Sequence, residues 1–222
     1  IFKNIYSDVC KSNITSNEIR GVDTGVMTSR NLSEQMDSKV VDKLIEIVGS
    51  NYSLFHKYLK KKKDFLGFSD FSVYDILAPL GDAGEKLTYE DGCKIYLDTI
   101  RKVDESIYQH GLKMLDGKTD VYPRKGKRGG AFCSYDKFTD QFVLLNWKDK
   151  LDDLTTLAHE FGHAFHGMLS HKQNNTNYSS PLVLCETASI FNETILFNES
   201  LNMASDESKN ILIFNRLDDL FS

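Results

Sequence analysis

The sequence predicts a mainly α-helical fold with one small antiparallel β-sheet. Apolar residues recur at helical spacing over most of the chain, and capping residues precede several of these segments. Between residues 118 and 147 the pattern changes to short apolar runs bounded by turn residues, which is typical of strands. A hydrophobic content of 41% is enough for a packed core. We therefore expect one helical domain that carries a minor sheet.

Residues 1–117 are predicted to be helical. Asp37 or Ser38 can cap one helix, and Thr88 begins a capping-box pattern in which Asp91 replaces the usual glutamate. Apolar residues continue at helical spacing from Thr88 to Gly117, so one long helix is expected there. The expected helices cover roughly 1–20, from about 37 to 50, from about 52 to 66, and 88–117.

Residues 118–147 are predicted to form the small sheet, and residues 148–222 the helices that carry the functional site. Strands are expected at 121–122, 130–135 and 141–147, with the loop 136–140 joining the last two as a hairpin. A helix from about Leu151 follows. The next is expected to begin at Pro181 and run to about residue 202, and Ser205 can cap a last one.

The stretch His159-Glu160-Phe161-Gly162-His163 fits the H-E-x-x-H pattern of zinc-dependent hydrolases. On a helix the two histidines lie about one turn apart on one face, so both rings can reach one Zn2+ ion. Glu160 lies on the flank of that face and is expected to act as general base on water. A chance match on an amphipathic helix is the alternative. The upstream apolar stripe and acidic first turn, over residues 151–158, favour a helix that contains the motif.

A catalytic zinc site needs a third protein ligand and an open position for water. His166 lies on the face of His159 but one turn further along, and three ligands on one straight helix close a tetrahedron poorly. His171 is a second nearby candidate. Glu186 lies on the next predicted helix, which can pack across the first, and its apolar neighbours suggest a carboxylate held inward. We prefer Glu186, with a surface glutamate as the alternative.

Two further groups of residues are candidates for supporting roles. Glu193, seven residues after Glu186, could hydrogen-bond a ligand histidine without binding the metal itself. Ser189 could do the same. A helix salt bridge is the alternative for Glu193. The strand containing Gly130, Ala131 and Phe132 could bind an extended peptide by strand addition. A turn that leads into an edge strand is the simpler interpretation, and it is compatible with peptide binding.

The composition bears on the class of partner and on the location. A net charge of −5 argues against nucleic acid, and no apolar run approaches the ~20 residues that span a bilayer, so no membrane contact is expected. The four cysteines are widely spaced, without a C-x-x-C pair, and are interpreted as reduced thiols in a cytoplasmic protein. The chain lacks an initial methionine and ends within an apolar helical pattern, so residues 1–222 are interpreted as one catalytic-domain fragment of a longer protein.

The run from His159 to His166, followed by the run from Glu186 to Glu193, resembles the oligoendopeptidase F family of zinc metallopeptidases, relatives of thimet oligopeptidase. Residues 120–132 and 144–147 are similar to that family too. The resemblance implies a zincin-like catalytic domain in a cytoplasmic peptidase that cleaves short, unstructured peptides. It implies that His159, His163 and Glu186 bind one Zn2+ ion per chain. It also implies that Glu160 is the catalytic base.

Family members are considerably longer, and their C-terminal part supplies tyrosine and histidine side chains that hydrogen-bond the tetrahedral intermediate. No tyrosine or histidine follows residue 186 in this sequence. Two alternatives to an active endopeptidase therefore remain open. The chain could be a catalytically incomplete fragment that binds zinc and peptide, or a helical interaction module with a structural zinc. The second is disfavoured because structural sites have four protein ligands and no fourth is evident here.

Overall fold

The computed structural model describes residues 2–80 and 86–221, apart from the side chain of Glu207. Within these ranges the chain is mainly helical and carries one small sheet, which confirms the predicted fold class. Contacts between residues group the chain into two compact units, one up to Lys61 and one from Lys62 onward. None of the described helices is long and apolar enough to cross a membrane. All four cysteines are free thiols.

The part of the chain up to Lys61 consists of helices. Asp37 begins the third of them as predicted, because its side chain accepts a hydrogen bond of 2.9 Å from the backbone N–H of Lys39. The second helix is short and was not predicted. Its Ser29 hydroxyl donates to the buried Asn17 side chain of the first at 2.9 Å. The helices are α1 (Phe2–Ile19), α2 (Thr28–Ser33), α3 (Ser38–Ser50) and α4 (Tyr52–Leu66), the last of which continues past Lys61; Ile1 of the predicted first helix lies outside the described residues.

The single long helix predicted from Thr88 to Gly117 is wrong, because the segment forms two helices. Asp104 interrupts it: its carboxylate accepts hydrogen bonds from the backbone N–H groups of Ser106 at 2.8 Å and Ile107 at 3.1 Å, which makes it the N-cap of a new helix. From Lys62 onward the helices are a 3-10 turn (Val73–Asp75), α5 (Tyr89–Arg101), α6 (Glu105–Leu115), α7 (Leu151–Ser170), α8 (Leu182–Met203) and α9 (Asp206–Phe221).

The sheet has three short strands, β1 (Thr119–Asp120), β2 (Phe132–Ser134) and β3 (Phe142–Leu144), in the order β1-β3-β2. The predicted hairpin is present, since β2 is antiparallel to β3 with Cys133 opposite Val143. The sheet is mixed rather than purely antiparallel, because β1 lies parallel to β3 on its other side. The long connection over 121–131 allows this arrangement, and it leaves β2 at an edge.

The core of the second unit is built around α7, whose apolar face is buried. Phe161 meets the Tyr96 ring of α5 edge-on at a centroid distance of 5.4 Å. Asn192 of α8 donates to the Tyr96 hydroxyl at 3.1 Å, so α5, α7 and α8 are joined at one point. The buried residues of α7 include Leu154, Leu157, Ala158, Phe161 and Ala164. The opposite face of this rigid helix carries the histidines considered next.

Candidate zinc site

Side chains of two helices meet at the predicted metal site. His159 and His163 lie one turn apart on α7, and their Nε2 atoms are 3.1 Å apart. Oε2 of Glu186, on α8, lies 3.3 Å from His159 Nε2 and 3.4 Å from His163 Nε2. The three predicted ligand atoms thus form a nearly equilateral triangle. Within residues 2–80 and 86–221 no other group of three or more His, Cys, Asp or Glu side chains is close enough to hold a metal.

The dimensions of this triangle suit a zinc ion. Zinc binds imidazole nitrogen and carboxylate oxygen at roughly 2.0–2.1 Å in tetrahedral geometry, so ligand atoms lie about 3.3–3.4 Å from one another. The observed separations therefore correspond to one face of a tetrahedron. Two imidazole Nε2 atoms that face each other can share one proton at most, whereas a cation between them satisfies both lone pairs. The donor set leaves one tetrahedral position without a protein ligand.

Gly162 explains how Glu186 reaches the histidines. A Cβ atom at this position would lie 2.5 Å from the backbone oxygen of Ala188 and 2.6 Å from Cα of Ser189. The backbones of α7 and α8 are therefore in direct contact where the two helices cross. Any side chain at position 162 would hold the helices apart. The crossing lies between the two histidines on one helix and next to Glu186 on the other, so it sets the distance between the ligands.

The environment of Glu186 differs from the sequence expectation. Its side chain is 53% exposed, and its neighbours Leu182 and Leu184 are exposed as well, so the apolar flanks do not bury it among the described residues. The fully buried Ser189 orients it instead, with Oγ 2.9 Å from Glu186 Oε2 and 2.9 Å from the Glu186 backbone oxygen. Ser189 was expected to contact a histidine. It contacts Glu186, the predicted third ligand, because it lies one turn along the same helix.

Glu160 lies beside the three candidate ligands, but its carboxylate faces strand β2. It is only 7% exposed, and the backbone of Cys133 on β2 gives its carboxylate a hydrogen bond. Its Oε2 atom has no hydrogen-bond partner among the described residues. Burial raises the pKa of Glu160, and the charge of Glu186 raises it further. Glu160 and His159 line a cavity of about 500 Å³. Glu160 thus borders the cavity, while its unpaired oxygen is itself buried.

Glu193 links His159 to the last helix. One carboxylate oxygen accepts a hydrogen bond from His159 Nδ1, and the other lies 2.7 Å from Nη1 of Arg216 on α9. The Glu193 hydrogen bond raises the pKa of His159. It also keeps the ring proton on Nδ1, which leaves Nε2 as a metal ligand. Burial raises the pKa of Glu193, but its hydrogen bonds with His159 and Arg216 outweigh this and the pKa falls.

The expected contact of Glu193 with His159 is therefore present. The alternative was a salt bridge within one helix, but the salt bridge that Glu193 makes is to Arg216 on α9. Arg216 was missed by the sequence analysis. No spacing rule relates it to the motif, and it lies on a different helix.

The two other candidate histidines take no part in the ligand group. His171 Nε2 lies 2.8 Å from the backbone oxygen of Asp136, and its Nδ1 lies 3.3 Å from the Gln141 side chain. His166 lies outside the group as well, and its buried Nδ1 has no hydrogen-bond partner among the described residues. Both positions agree with the preference for Glu186.

The residues proposed to bind peptide lie at the edge strand beside Glu160. Val143 donates its N–H to Lys118 on the side of β1, so its partner Cys133 directs its own backbone groups away from β3. Alternation along the strand directs the backbone groups of Ala131 the same way. Ala131 also lines the 500 Å³ cavity. Phe132 pairs with Leu144 inside the sheet. The Gly130 carbonyl accepts a hydrogen bond of 2.7 Å from Asn146.

A comparison with protein families matches residues 18–221 to the model described as Peptidase family M3. Among curated proteins, the chain is 35% identical over 192 residues to "Oligoendopeptidase F, chromosomal" of Lactococcus lactis subsp. cremoris, covering 86% of this chain and 32% of that protein. It is 33% identical over 190 residues to "Oligopeptidase PepF" of Bacillus subtilis (strain 168), covering 83% and 28%. The chain thus spans about a third of the length of these relatives.

Solved structures show the same fold. A crystal structure from Chlamydophila abortus, assigned provisionally as a peptidase, matches 100% of this chain and 38% of its own with a TM-score of 0.78 and 26% identity. The structure "PZ peptidase A with inhibitor 2" matches 99% of this chain and 40% of its own with a TM-score of 0.78 and 19% identity. At that identity the second likeness concerns the fold alone.

Proposed function

The chain belongs to peptidase family M3, and from that membership we propose that it carries the catalytic zinc site of an endopeptidase that hydrolyses short, unstructured oligopeptides. One observation carries the proposal: three ligand atoms at zinc-compatible separations adjoin a buried carboxylate with a free oxygen. Because the chain spans about a third of its curated relatives, the activity is proposed for a whole protein that contains this region.

The ligands would be His159, His163 and Glu186, with one Zn2+ ion per chain. When bound, zinc supplies Lewis acidity, which makes water a nucleophile near neutral pH and polarises a carbonyl group. Glu160 accepts a proton from the attacking water and passes it to the leaving nitrogen. Its raised pKa supports both transfers, because a base whose pKa lies closer to the working pH also returns its proton more readily.

The substrate is proposed to bind in extended form along the free edge of β2. Ala131 would supply backbone hydrogen bonds, and main-chain recognition of this kind tolerates many peptide sequences. Phe132 supports the edge through its pairing with Leu144. Gly130 supports it through a positive φ of 76°, which turns the chain into the strand at little steric cost. The edge lies beside the Glu160 carboxylate, so a peptide bound there passes the catalytic base.

A catalytically incomplete zinc- and peptide-binding segment is the second candidate. It is kept as a candidate because the chain spans about a third of its curated relatives, and residues 187–222 contain no tyrosine or histidine of the kind that the resemblance implies for stabilising the intermediate. An interaction module with a structural zinc is less well supported, because the ligand group found among the described residues has three members and not four. The four free thiols support a cytoplasmic location.

Metal analysis and a quenched-fluorescence peptide assay test the proposal on both this chain and a longer chain that contains it. We expect one zinc per chain, lost in His163→Ala. In the longer chain Glu160→Gln should retain zinc and lose at least ~10²-fold in kcat, the usual scale for a positioned proton-transfer group. Zinc bound normally by His163→Ala would overturn the ligand assignment. Full activity in Glu160→Gln would overturn the role of the base.

A further inference from the structure

We infer that Arg216 is a positioning residue of the zinc site, acting through Glu193 on His159; the inference rests on the zinc site proposed above. Glu193 uses one oxygen for His159 Nδ1 and the other for Arg216 Nη1, at 2.7 Å. One carboxylate thus bridges the histidine ligand and a cation on another helix.

The burial of the pair explains why the cation is needed. The Glu193 and Arg216 side chains are 14% and 19% exposed, so both charges are largely removed from water. A carboxylate that is buried and unpaired would be costly. Without Arg216, Glu193 would gain by rotating toward solvent, and this rotation would weaken its hydrogen bond to His159. Arg216 therefore holds the Glu193 carboxylate aimed at the ring.

The structure also fixes Arg216 itself. On α9, Phe214 stacks on Phe65 at a centroid distance of 4.9 Å, and Asp218 accepts a hydrogen bond of 2.5 Å from the fully buried Lys62. These two residues share one face of α9, since they lie four positions apart. Arg216, midway between them, projects from the opposite face. There its guanidinium lies over the Phe197 ring, 5.8 Å from the centroid, one turn beyond Glu193 on α8.

A third helix, α9, therefore contributes a residue to the proposed zinc site. The ligands come from α7 and α8, but the orientation of His159 depends on a cation of α9. A carboxylate partner that is held in place restricts the ring to one tautomer and one direction, which lowers the ordering needed when the metal binds. Asp219, one turn after Arg216, lines the same cavity as His159 and Glu160. Burial raises the pKa of Asp219, and the charge of the Arg216 guanidinium acts in the opposite direction.

The test compares zinc affinity, by competition with a chromogenic chelator, in the 222-residue chain and its Arg216→Met and Arg216→Lys variants. Loss of an outer partner typically weakens metal binding 10–100-fold, so we expect at least a ~10-fold loss in Arg216→Met. Arg216→Lys keeps the charge but not the planar fork, and should fall between Arg216→Met and the parent chain. The absorption spectrum of bound Co2+ should shift in Arg216→Met, because it reports ligand geometry.

The matched control is Lys102→Met. It removes the cation of the Lys102–Glu199 pair, 2.5 Å long and also made to α8, away from the histidines. Zinc affinity within twofold of the parent is expected there. In a Glu193→Gln background, Arg216→Met should have no further effect, since Arg216 acts through that carboxylate.

Three results would overturn the inference. The first is zinc affinity within twofold of the parent in both Arg216 variants. The second is an equal loss in Lys102→Met, and the third is full additivity with Glu193→Gln. If Arg216→Met fails to fold, Arg216→Lys decides the matter alone: unchanged affinity and an unchanged Co2+ spectrum would overturn the inference. A parent chain without zinc would instead mean that the proposed function has failed, so the two failures are distinguishable.

Discussion

Replacing Gly162 with alanine tests whether the crossing of α7 and α8 sets the geometry of the zinc site. The added Cβ would lie 2.5 Å from the Ala188 oxygen and 2.6 Å from Cα of Ser189. Carbon atoms in contact prefer about 3.5–4.0 Å, so the α8 backbone must move away by about 1 Å. Both contacts are backbone atoms, and no side-chain rotation can relieve them. The clash therefore moves the helix that carries Glu186.

This displacement of α8 should appear as a measurable loss of zinc affinity. Glu186 Oε2 now lies 3.3 and 3.4 Å from the two histidine nitrogens, close to the tetrahedral value, and a retreat of about 1 Å takes it beyond that range. Zinc must then pull the helices back against an overpacking strain of about 1–3 kcal/mol. The metal-free protein relieves this strain by letting the helices separate. The strain therefore reduces the free energy of zinc binding and weakens the affinity roughly 5–150-fold.

Chelator competition on Gly162→Ala measures this loss, and Gly49→Ala in α3 is the control. An added Cβ at Gly49 meets nothing within 4 Å, so zinc affinity should not change. The stability of that control should rise by up to ~1 kcal/mol, the difference in helix propensity. If a folded Gly162→Ala protein bound zinc within twofold of the parent, the reasoning that this contact fixes the ligand distances would be refuted.

Three further predictions probe single interactions. Glu186→Gln should weaken zinc binding at least ~10-fold in chelator competition, while His171→Ala should leave it within twofold, because only Glu186 supplies a ligand atom; the reverse order would contradict the ligand set. Asp218→Asn leaves the fully buried Lys62 ammonium without its charged partner, so urea unfolding should show a loss of about 3 kcal/mol, and a loss below about 1 kcal/mol would contradict this. Hydrogen bonds from Arg124 and Lys127 lower the pKa of Asp120 to about 2. Its ionised form therefore stabilises the fold above about pH 4, and this stabilisation is lost as the pH falls through about 2. Asp120→Asn should accordingly be less stable than the parent at pH 7 and converge with it between pH 4 and 2 in thermal unfolding, whereas a constant difference would argue against the pairing.

The predicted fold was accurate where local signals suffice. Asp37 and Thr88 are N-caps as expected, since each side chain accepts a hydrogen bond from the following turn. The capping box at Thr88 is not formed, because the Asp91 carboxylate accepts a hydrogen bond from the Thr88 hydroxyl instead. The prediction failed at Asp104, where apolar periodicity continues across the break between α5 and α6. Periodicity reports which face is buried, and two helices packed on the same core share that pattern. The sequence analysis did not identify Asp104, the N-cap that divides the two helices.

The sheet shows a second kind of limit. The hairpin of β2 and β3 joins neighbours along the chain, so its pairing could be predicted from the two strands and the loop 136–140. The parallel pairing of β1 with β3 could not, because it joins segments separated by residues 121–141, which include β2. Which strand pairs with β1 depends on which edge of the hairpin remains accessible once the core has packed. No local sequence pattern contains that information.

The sequence by itself determined which residues of α7 lie together at the candidate site: helical spacing alone puts His159 and His163 on one face with Glu160 beside them. Only the tertiary structure decided what completes it. Glu186 reaches the histidines because Gly162 lets two backbones touch, and Glu193 is held by Arg216 from a third helix. The physical reason is that the spacing of residues within one helix follows from helix geometry. The distance between helices depends instead on which side chains are absent at their crossing and on which charges are buried together.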